Sequence, residues 1–132
     1  MKIQNCILTK PITCLGTETI AKATKKLKDN QLRHLYVVDK NKKLLGVFAG
    51  IDVVYKVIAE GKDYKKMKVS EIMNANIVSF EPDDSLTKAL GFMSTSNIFT
   101  TPIVRKGKLV AVLSYKEAMQ YAVNERRKIL KK

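Results

Sequence analysis

The sequence predicts an α+β protein made of two β-α-β-β-α repeats that pack sheet to sheet with pseudo-twofold symmetry. Three observations lead to this prediction. The chain has 132 residues, 45% of them hydrophobic, which is enough for a packed core. Its apolar, polar and turn residues recur at an offset of 66, so that Lys2 corresponds to Lys68. Each copy has the same order of extended and helical periodicities, and a copy of about 60 residues is too small to bury a secure core alone.

The repeat is clearest where the two copies open. Residues 2–7 (KIQNCI) correspond to residues 68–73 (KVSEIM), and residues 18–23 (ETIAKA) correspond to residues 84–89 (DSLTKA). After one additional residue in the first hairpin turn, the offset falls to 65. The repeat divides the chain into four segments: a first repeat (2–60), a connection (61–67), a second repeat (68–122) and a basic C-terminal segment (123–132).

The first copy begins with a short extended segment at residues 12–13, followed by a helix. The Thr-Glu-Thr run at residues 17–19 supplies residue types that begin helices. Strands at residues 35–39 and 44–49 form a predicted hairpin around a Lys-Asn turn. Apolar residues at helical spacing mark the two helices: Ile20, Ala23 and Leu27 in the first, and Ile51, Val54, Tyr55 and Ile58 in the second.

The second copy has the same elements in the same order. An extended segment at residues 78–79 precedes a helix whose start is marked by the Pro-Asp-Asp-Ser run at residues 82–85. Strands at residues 101–105 and 109–114 flank a Lys-Gly turn. The apolar residues of its two helices are Leu86, Ala89, Leu90 and Met93, then Tyr115, Ala118, Met119 and Ala122.

The charge of the chain favours anionic partners. Lys and Arg total 25 against 12 Asp and Glu, which gives a formal net charge of +13. Such a surplus attracts nucleic acid, acidic lipid headgroups or phosphorylated metabolites. The basic clusters are not interleaved with aromatic residues, as a base-stacking surface requires, so solvated faces are the favoured interpretation. Nucleic-acid binding by the basic run from Arg126 to Lys132 stays open as an alternative.

The sequence also bears on where in the cell the protein resides. Its longest apolar stretch, Leu44–Ile51, is far shorter than the roughly twenty residues of a membrane-spanning helix. Residues 1–11 contain no apolar segment of the length of a secretory signal. We therefore expect a cytoplasmic protein.

Catalysis and metal binding find little support in the sequence. Two cysteines and one histidine do not complete a four-ligand zinc site, and no glycine-rich phosphate loop is present. Cys6 and Cys14 occupy apolar positions of the repeat, which predicts small buried side chains. We predict no enzymatic activity, no metal and no required cofactor.

Five segments carry a resemblance to a known family: KVSEIM (68–73), VSFEPDDSL (78–86), PIV (102–104), GKLV (107–110) and LLGVF (44–48). In this order, and duplicated, they resemble a tandem pair of CBS domains, the small module named after cystathionine β-synthase. The resemblance spans residues 2–122. It implies a regulatory module that binds AMP, ADP, ATP or S-adenosylmethionine in the clefts between the copies. It further implies a homodimer and, since no catalytic or transporter domain is visible in the chain, control of a partner protein in trans. A dimerisation scaffold that binds no ligand stays open as an alternative.

The resemblance also assigns candidate ribose ligands. In the family pattern, a small hydroxyl residue ends the third strand of each copy, and an Asp three positions later binds the ribose hydroxyls. The first copy has Asp52 but Ala49 in place of the hydroxyl, whereas the second has Ser114 and the longer Glu117. Asp52 is the better candidate, because a shorter carboxylate suits a two-hydroxyl contact. Both carboxylates also lie in the first turn of a predicted helix, where they are favoured without any ligand.

The other candidates surround these carboxylates in the predicted fold. Gly50 would let a phosphate approach the backbone, the hydroxyls of Thr13 and Ser79 could bond sugar or phosphate, and Arg105 and Lys116 could pair with phosphate oxygens. Turn formation, helix capping and simple solvation remain open alternatives at these positions. Three further candidates flank the same cleft at the strands: His34, Tyr36 and Thr101.

Overall fold

The computed structural model describes residues Met1–Lys131. The chain folds into two compact units. The first-repeat unit is Pro11–Ile77, and the second-repeat unit is Met1–Lys10 together with the chain from Val78 onward. Lys132, the last residue of the predicted basic segment, lies outside the described residues. Within residues 1–131, no helix is both long and apolar enough to cross a bilayer.

The first-repeat unit contains a three-stranded sheet with its helices. Its elements are β1 (Thr13–Leu15), α1 (Ile20–Asn30), β2 (His34–Val38), β3 (Leu44–Ala49), α2 (Gly50–Val53) with a π-helical continuation (Val54–Ile58), and a 3-10 turn (Val69–Glu71). Strand β2 is central, parallel to β1 and antiparallel to β3. Helix α1 begins where the sequence predicts, because the Thr19 hydroxyl accepts a hydrogen bond from the Lys22 amide at 3.2 Å. It ends at Gln31, whose φ is 54°.

The second-repeat unit repeats this arrangement. Its elements are a 3-10 turn (Ile3–Asn5), α3 (Leu86–Ser96), β4 (Thr100–Arg105), β5 (Lys108–Ser114) and α4 (Tyr115–Leu130). The extended segment predicted at residues 78–79 is reduced to one parallel bridge between Phe80 and Ile103. Ser85 caps α3 as Thr19 caps α1, accepting from the Lys88 amide at 3.3 Å. The predicted β-α-β-β-α order is therefore confirmed in the first repeat, whereas in the second a single bridge takes the place of the first strand. The hairpin strand ends of both repeats lie within one residue of those predicted.

Each unit has its own apolar core between one sheet face and the helices. Alternate residues of the central strands point into these cores, as the pleat requires. In the first-repeat unit the core contains Ile20, Ala23, Leu27, Leu35, Val37, Phe48, Val53 and Val57. In the second-repeat unit it contains Ile3, Cys6, Phe80, Leu86, Ala89, Met93, Ile103, Ala111, Leu113 and Ala118. Cys6 and Cys14 are both buried free thiols, as predicted.

The units do not follow the repeat boundaries, because the opening segment of each repeat packs with the other repeat. Thr9 forms an antiparallel bridge to Val112 in the second-repeat unit, and Asn74 forms the corresponding bridge to Val47 in the first-repeat unit. Gly46 permits the second of these contacts. A Cβ added there would lie 2.6 Å from the backbone oxygen of Asn74, closer than real Cβ atoms come.

The second helix of the first repeat packs on the core with a different face from the apolar stripe that its sequence predicts. Ile51, Val54, Tyr55 and Ile58 are 55%, 47%, 64% and 61% exposed. Val53 and Val57 are the side chains of this helix that enter the core instead. The segment is helical as predicted, with a π-helical second half, but periodicity alone does not distinguish an outward apolar stripe from an inward one.

Candidate functional site

Polar residues gather at one end of the first-repeat sheet. Thr13 lies beside Tyr36 in the parallel pair, and Ala49 lies opposite His34 in the antiparallel pair. The first residue of β2 therefore lies opposite the last residue of β3, and residues 11–13, which lead into β1, run beside the start of β2. The Gly50 amide donates a hydrogen bond to the residue 33 carbonyl at 3.0 Å, which fixes the turn into α2 at this edge. We call residues 11–13, 33–34 and 49–52 the first-repeat sheet end.

Asp52 is the carboxylate of the first-repeat sheet end. Its side chain is 23% exposed, and its Oδ1 lies 3.6 Å from the Lys56 Nζ one turn later. The Lys56 Nζ also donates to the Ile72 carbonyl at 3.4 Å. The carboxylate is thus held in position by a partly exposed ion pair, yet it remains accessible. An ionised carboxylate has two oxygens that can accept hydrogen bonds from two neighbouring hydroxyls.

His34 and Tyr36 differ in how accessible they are to a ligand. Their rings make an edge contact with centroids 5.3 Å apart and planes at 83°. Burial lowers the pKa of His34 below its ordinary value of 6.5, so the imidazole is neutral at pH 7 and contributes hydrogen-bonding groups rather than charge. Tyr36 is only 6% exposed, within the central strand.

At this end the backbone of Gly50 leaves room for a Cβ, whereas Thr13 is half-buried. A Cβ at Gly50 would meet its nearest atoms at 3.6 Å and 3.7 Å, which are ordinary contacts. Packing therefore does not require glycine here, and close approach of a ligand to the backbone stays a prediction. The Thr13 carbonyl is occupied by the Lys26 Nζ at 3.0 Å, and the Thr13 residue is half-buried.

The second-repeat unit builds the equivalent end from different residues. Thr100 lies opposite Ser114 in the β4–β5 pair, and the Tyr115 amide donates to the Phe99 carbonyl at 2.7 Å. Ser79 is exposed just before Phe80. The Phe80 amide donates a hydrogen bond to the carbonyl of residue 102 in β4, at 3.1 Å. Residues 78–80 therefore run beside the start of this strand. We call residues 78–80, 99–100 and 114–117 the second-repeat sheet end.

Ser114 and Glu117 are linked by a helix cap. The Ser114 Oγ accepts a hydrogen bond from the Glu117 amide at 3.1 Å, so the hydroxyl that the family pattern assigns to ligand serves α4 in this structure. The Glu117 carboxylate is half-buried. It lies close enough to Cys6 for its charge to add to the effect of burial, and both raise the pKa of that thiol.

The structure does not bring two of the predicted residues to these ends. Thr101 is 1% exposed, and the pleat places it on the core face with Ile103. Arg105 pairs with Lys108 at the hairpin end of β4, about 16 Å from the start of that strand. Tyr36 does border the first-repeat sheet end, since it pairs with Thr13 and contacts the His34 ring, but it is buried. Strand order and register, which decide these distances, were not available from the sequence. Lys116 does lie at the second-repeat end and is exposed.

Sequence reasoning missed four residues at these ends. Ile12 and Val78 occupy the same repeat position and are 38% and 46% exposed. Arg33 and Phe99 also share a repeat position; both are exposed, Phe99 by 64%. An apolar residue preceding Thr13 in one copy and Ser79 in the other was the available signal for the first pair. The sequence does not show that these two side chains are exposed, because exposure depends on which segments cover them in the fold. Within residues 1–131, no three His, Cys, Asp or Glu side chains are grouped as metal ligands.

Comparison with known proteins places this geometry in a family. The family model described as CBS domain matches residues 4–58 and 69–124. A homoserine O-acetyltransferase from Methanococcus vannielii is 34% identical over 110 residues, which cover 83% of this chain and 22% of that protein. The chain spans between about a fifth and three fifths of the length of the first curated relatives it matches.

Two solved structures resemble the whole fold. The protein AcuB from Vibrio cholerae superposes with a TM-score of 0.82 at 25% identity, over 100% of this chain and 97% of that one. The CBS domain pair of protein MJ0100, solved with 5′-methylthioadenosine and S-adenosyl-L-methionine, superposes with a TM-score of 0.73 at 25% identity, over 92% of this chain and 98% of that one. Since both repeats match in order, the chain belongs to the CBS domain family as a tandem pair, which is a regulatory module.

Proposed function

We propose that this chain is a non-catalytic module that binds adenosine-containing ligands at its sheet ends and thereby controls a partner protein in trans. The ligand class comprises AMP, ADP, ATP and S-adenosylmethionine. One observation carries the proposal: Asp52 and Glu117 recur at the same repeat position, immediately after the hairpin, although the surrounding residues differ. The complex of the MJ0100 pair with two adenosine compounds supports the same class.

The groups at each end suit an adenosine in three ways. The carboxylate can accept hydrogen bonds from both ribose hydroxyls. The exposed apolar side chain, Ile12 or Val78, offers a surface against which the base can pack. The adjacent hydroxyl of Thr13 or Ser79 can bond the sugar or a phosphate. Helix capping alone accounts for a carboxylate at either position, but it does not require the apolar residue and the hydroxyl that accompany it.

Calorimetric titration and thermal unfolding with AMP, ADP, ATP and S-adenosylmethionine test the proposal. Binding to the native state raises the free energy of unfolding by about 2.7 kcal/mol at a ligand concentration one hundred times Kd. Asp52→Asn and Glu117→Gln should each lose the ribose contact and weaken binding by about tenfold or more. Asp29→Asn is the matched control, because it removes an exposed carboxylate of α1, ion-paired with Lys25, that lies at neither end. Full affinity in the Asp52→Asn, Glu117→Gln double variant, or no binding by the wild type, would contradict the proposal.

We further propose that the second helices of the two repeats mediate homodimerisation. Val54 and Met119 share a repeat position, as do Ile58 and Val123, and all four are apolar and exposed. Exposed apolar groups that recur in both copies are more typical of an interface than of scattered surface residues. Sedimentation velocity should give a dimer for the wild type and a monomer for Ile58→Asp. Lys62→Asp, a charge change at an exposed residue outside these helices, should leave the dimer intact. A monomeric wild type, or a dimer that survives Ile58→Asp, would refute this assignment.

Nucleic-acid binding remains a second candidate function, favoured by the end of α4. Arg126, Arg127, Lys128 and Lys131 are all exposed there. A backbone-binding protein loses affinity steeply as salt rises, because it releases counterions from the nucleic acid. Gel-shift titrations in low and moderate salt, with wild type and an Arg126→Ala, Arg127→Ala variant, distinguish this function. No complex at low salt would exclude it.

A further inference from the structure

We infer that the two sheet ends take adenosine ligands of different charge: a phosphorylated adenosine at the first-repeat end, and an adenosine without phosphate at the second-repeat end. This inference rests on the proposed function and deepens it. It comes from comparing residues at equivalent repeat positions around the two carboxylates. The carboxylate is the group the ends share, and the side chains beside it are what differ.

Two cations accompany the carboxylate of the first-repeat end: Lys56 lies beside it, and Arg33 belongs to the same sheet edge. Arg33 is exposed, and its backbone is fixed at the edge because its carbonyl accepts the Gly50 amide at 3.0 Å. Lys56 is 51% exposed and lies 3.6 Å from Asp52. Asp52, Arg33 and Lys56 give this end a formal surplus of one positive charge, and the charge of Lys26, which bonds the Thr13 carbonyl here, is offset by its ion pair with Glu18. A guanidinium presents paired donors that match phosphate oxygens, and an ammonium adds charge attraction.

The second-repeat end has aromatic residues at both of those positions. Phe99 replaces Arg33 and is 64% exposed, although its carbonyl makes the same bond to the amide after the hairpin, at 2.7 Å from the Tyr115 nitrogen. Tyr121 replaces Lys56, one turn after Glu117; it is half-buried against the core of this unit and supplies no cation. Lys116, which is exposed and replaces Ile51, is a cation on this side. It balances Glu117, so the formal charge of this end is zero.

These differences select between ligands that share the adenosine group. A phosphate carries one to two negative charges at pH 7 and gains from the two cations of the first-repeat end. At the second-repeat end no surplus charge compensates a phosphate, whereas an exposed aromatic ring offers a face for stacking on the base. A neutral or sulfonium-bearing adenosine therefore fits the second-repeat end better, and a nucleotide fits the first.

Calorimetric titration of the full chain with AMP and, separately, with 5′-methylthioadenosine tests the inference. Arg33→Gln should weaken AMP binding by about tenfold or more and leave 5′-methylthioadenosine unchanged. Phe99→Ala should weaken 5′-methylthioadenosine binding by roughly tenfold and leave AMP unchanged. Asp52→Asn should affect the AMP site, and Glu117→Gln the other. Lys108→Gln controls for the loss of one exposed positive charge at the hairpin end of β5, away from both sheet ends, and it should change neither affinity.

The outcomes separate the inference from the function on which it rests. Selective losses in the four variants support the inference. Binding of both ligands with equal sensitivity to Arg33→Gln and Phe99→Ala, or loss of both ligands in the same carboxylate variant, overturns the inference and leaves the proposed function standing. No heat with either ligand, together with no change in thermal unfolding, overturns both.

Discussion

Replacing Thr101 by Val should make this protein more stable. Thr101 is 1% exposed in the core of the second-repeat unit. Among the described residues, its Oγ1 has no hydrogen-bond partner. A buried hydroxyl without a partner costs about 1 to 3 kcal/mol, because water that solvated it in the unfolded chain is lost without replacement. Valine has nearly the same shape and carries no polar atom.

The expected gain is about 1 to 2 kcal/mol in the free energy of unfolding, allowing for small differences in packing. It corresponds to a rise in Tm of roughly 3 to 5 °C per kcal/mol for a chain of this size. Urea denaturation at pH 7 measures it, with an unchanged m-value as the sign that only stability has moved. Thr101→Ser is the matched control. It keeps the hydroxyl and removes a buried methyl group, so it should lower stability by about 0.5 to 1.5 kcal/mol.

The same pair of variants tests the ligand role that the sequence suggests for Thr101. A core position predicts that Thr101→Val leaves the affinity for adenosine ligands unchanged. A Thr101→Val protein that is less stable than the wild type would refute the structural reasoning. So would one that loses ligand affinity, because the hydroxyl would then have a partner in the bound state.

Two further predictions concern local packing and charge. Gly46→Ala should lower the free energy of unfolding by about 1 to 3 kcal/mol, because the new Cβ would lie 2.6 Å from the backbone oxygen of Asn74. Gly91→Ala, whose Cβ would have no atom within 4 Å, should instead raise it by about 0.5 to 1 kcal/mol. Equal effects of the two variants in urea denaturation would contradict the close contact at Gly46. Burial acts to raise the pKa of Glu18, but the Leu15 amide and the Lys26 ammonium outweigh it and hold that pKa below the ordinary 4.5. This stabilisation is present above pH 4.5 and is lost as the pH falls through the lower native-state pKa. Glu18→Gln should therefore be less stable than wild type at pH 7, with a difference that closes in acid; a constant difference would show that charge is not its origin.

Much of the fold could be predicted because it is encoded in short-range pattern. Thr19 and Ser85 cap the helices they were expected to begin, and Asp52 and Glu117 follow their hairpins in the first turn of a helix, as the repeat predicts. Capping residues, turn residues and apolar period act through neighbours within about one helical turn, so they can be read without knowing the fold.

The candidate site was less accessible to such reasoning. Arg105 and Ser114 both border the same hairpin in sequence, yet they lie at opposite ends of the β4–β5 pair. Thr101 differs from its neighbour Thr100 by a single position of the pleat, and this alone turns it into the core. Exposure of Phe99 and Arg33 depends on which segments cover the sheet end.

Three features can be read from the amino-acid sequence alone: the duplication of the chain, the elements of each copy, and the carboxylate that follows each hairpin. Three others emerge only in the folded chain: each opening segment packs with the opposite repeat, the apolar stripe of the helix at residues 50–58 faces outward, and particular candidates share a sheet end. The two sets differ in the range of the interactions that produce them. Helix and turn formation depend on residues close in sequence. Strand register, burial and the surroundings of a charged group depend on segments that are distant in sequence, from 23 positions for Thr13 and Tyr36 to 103 for Thr9 and Val112.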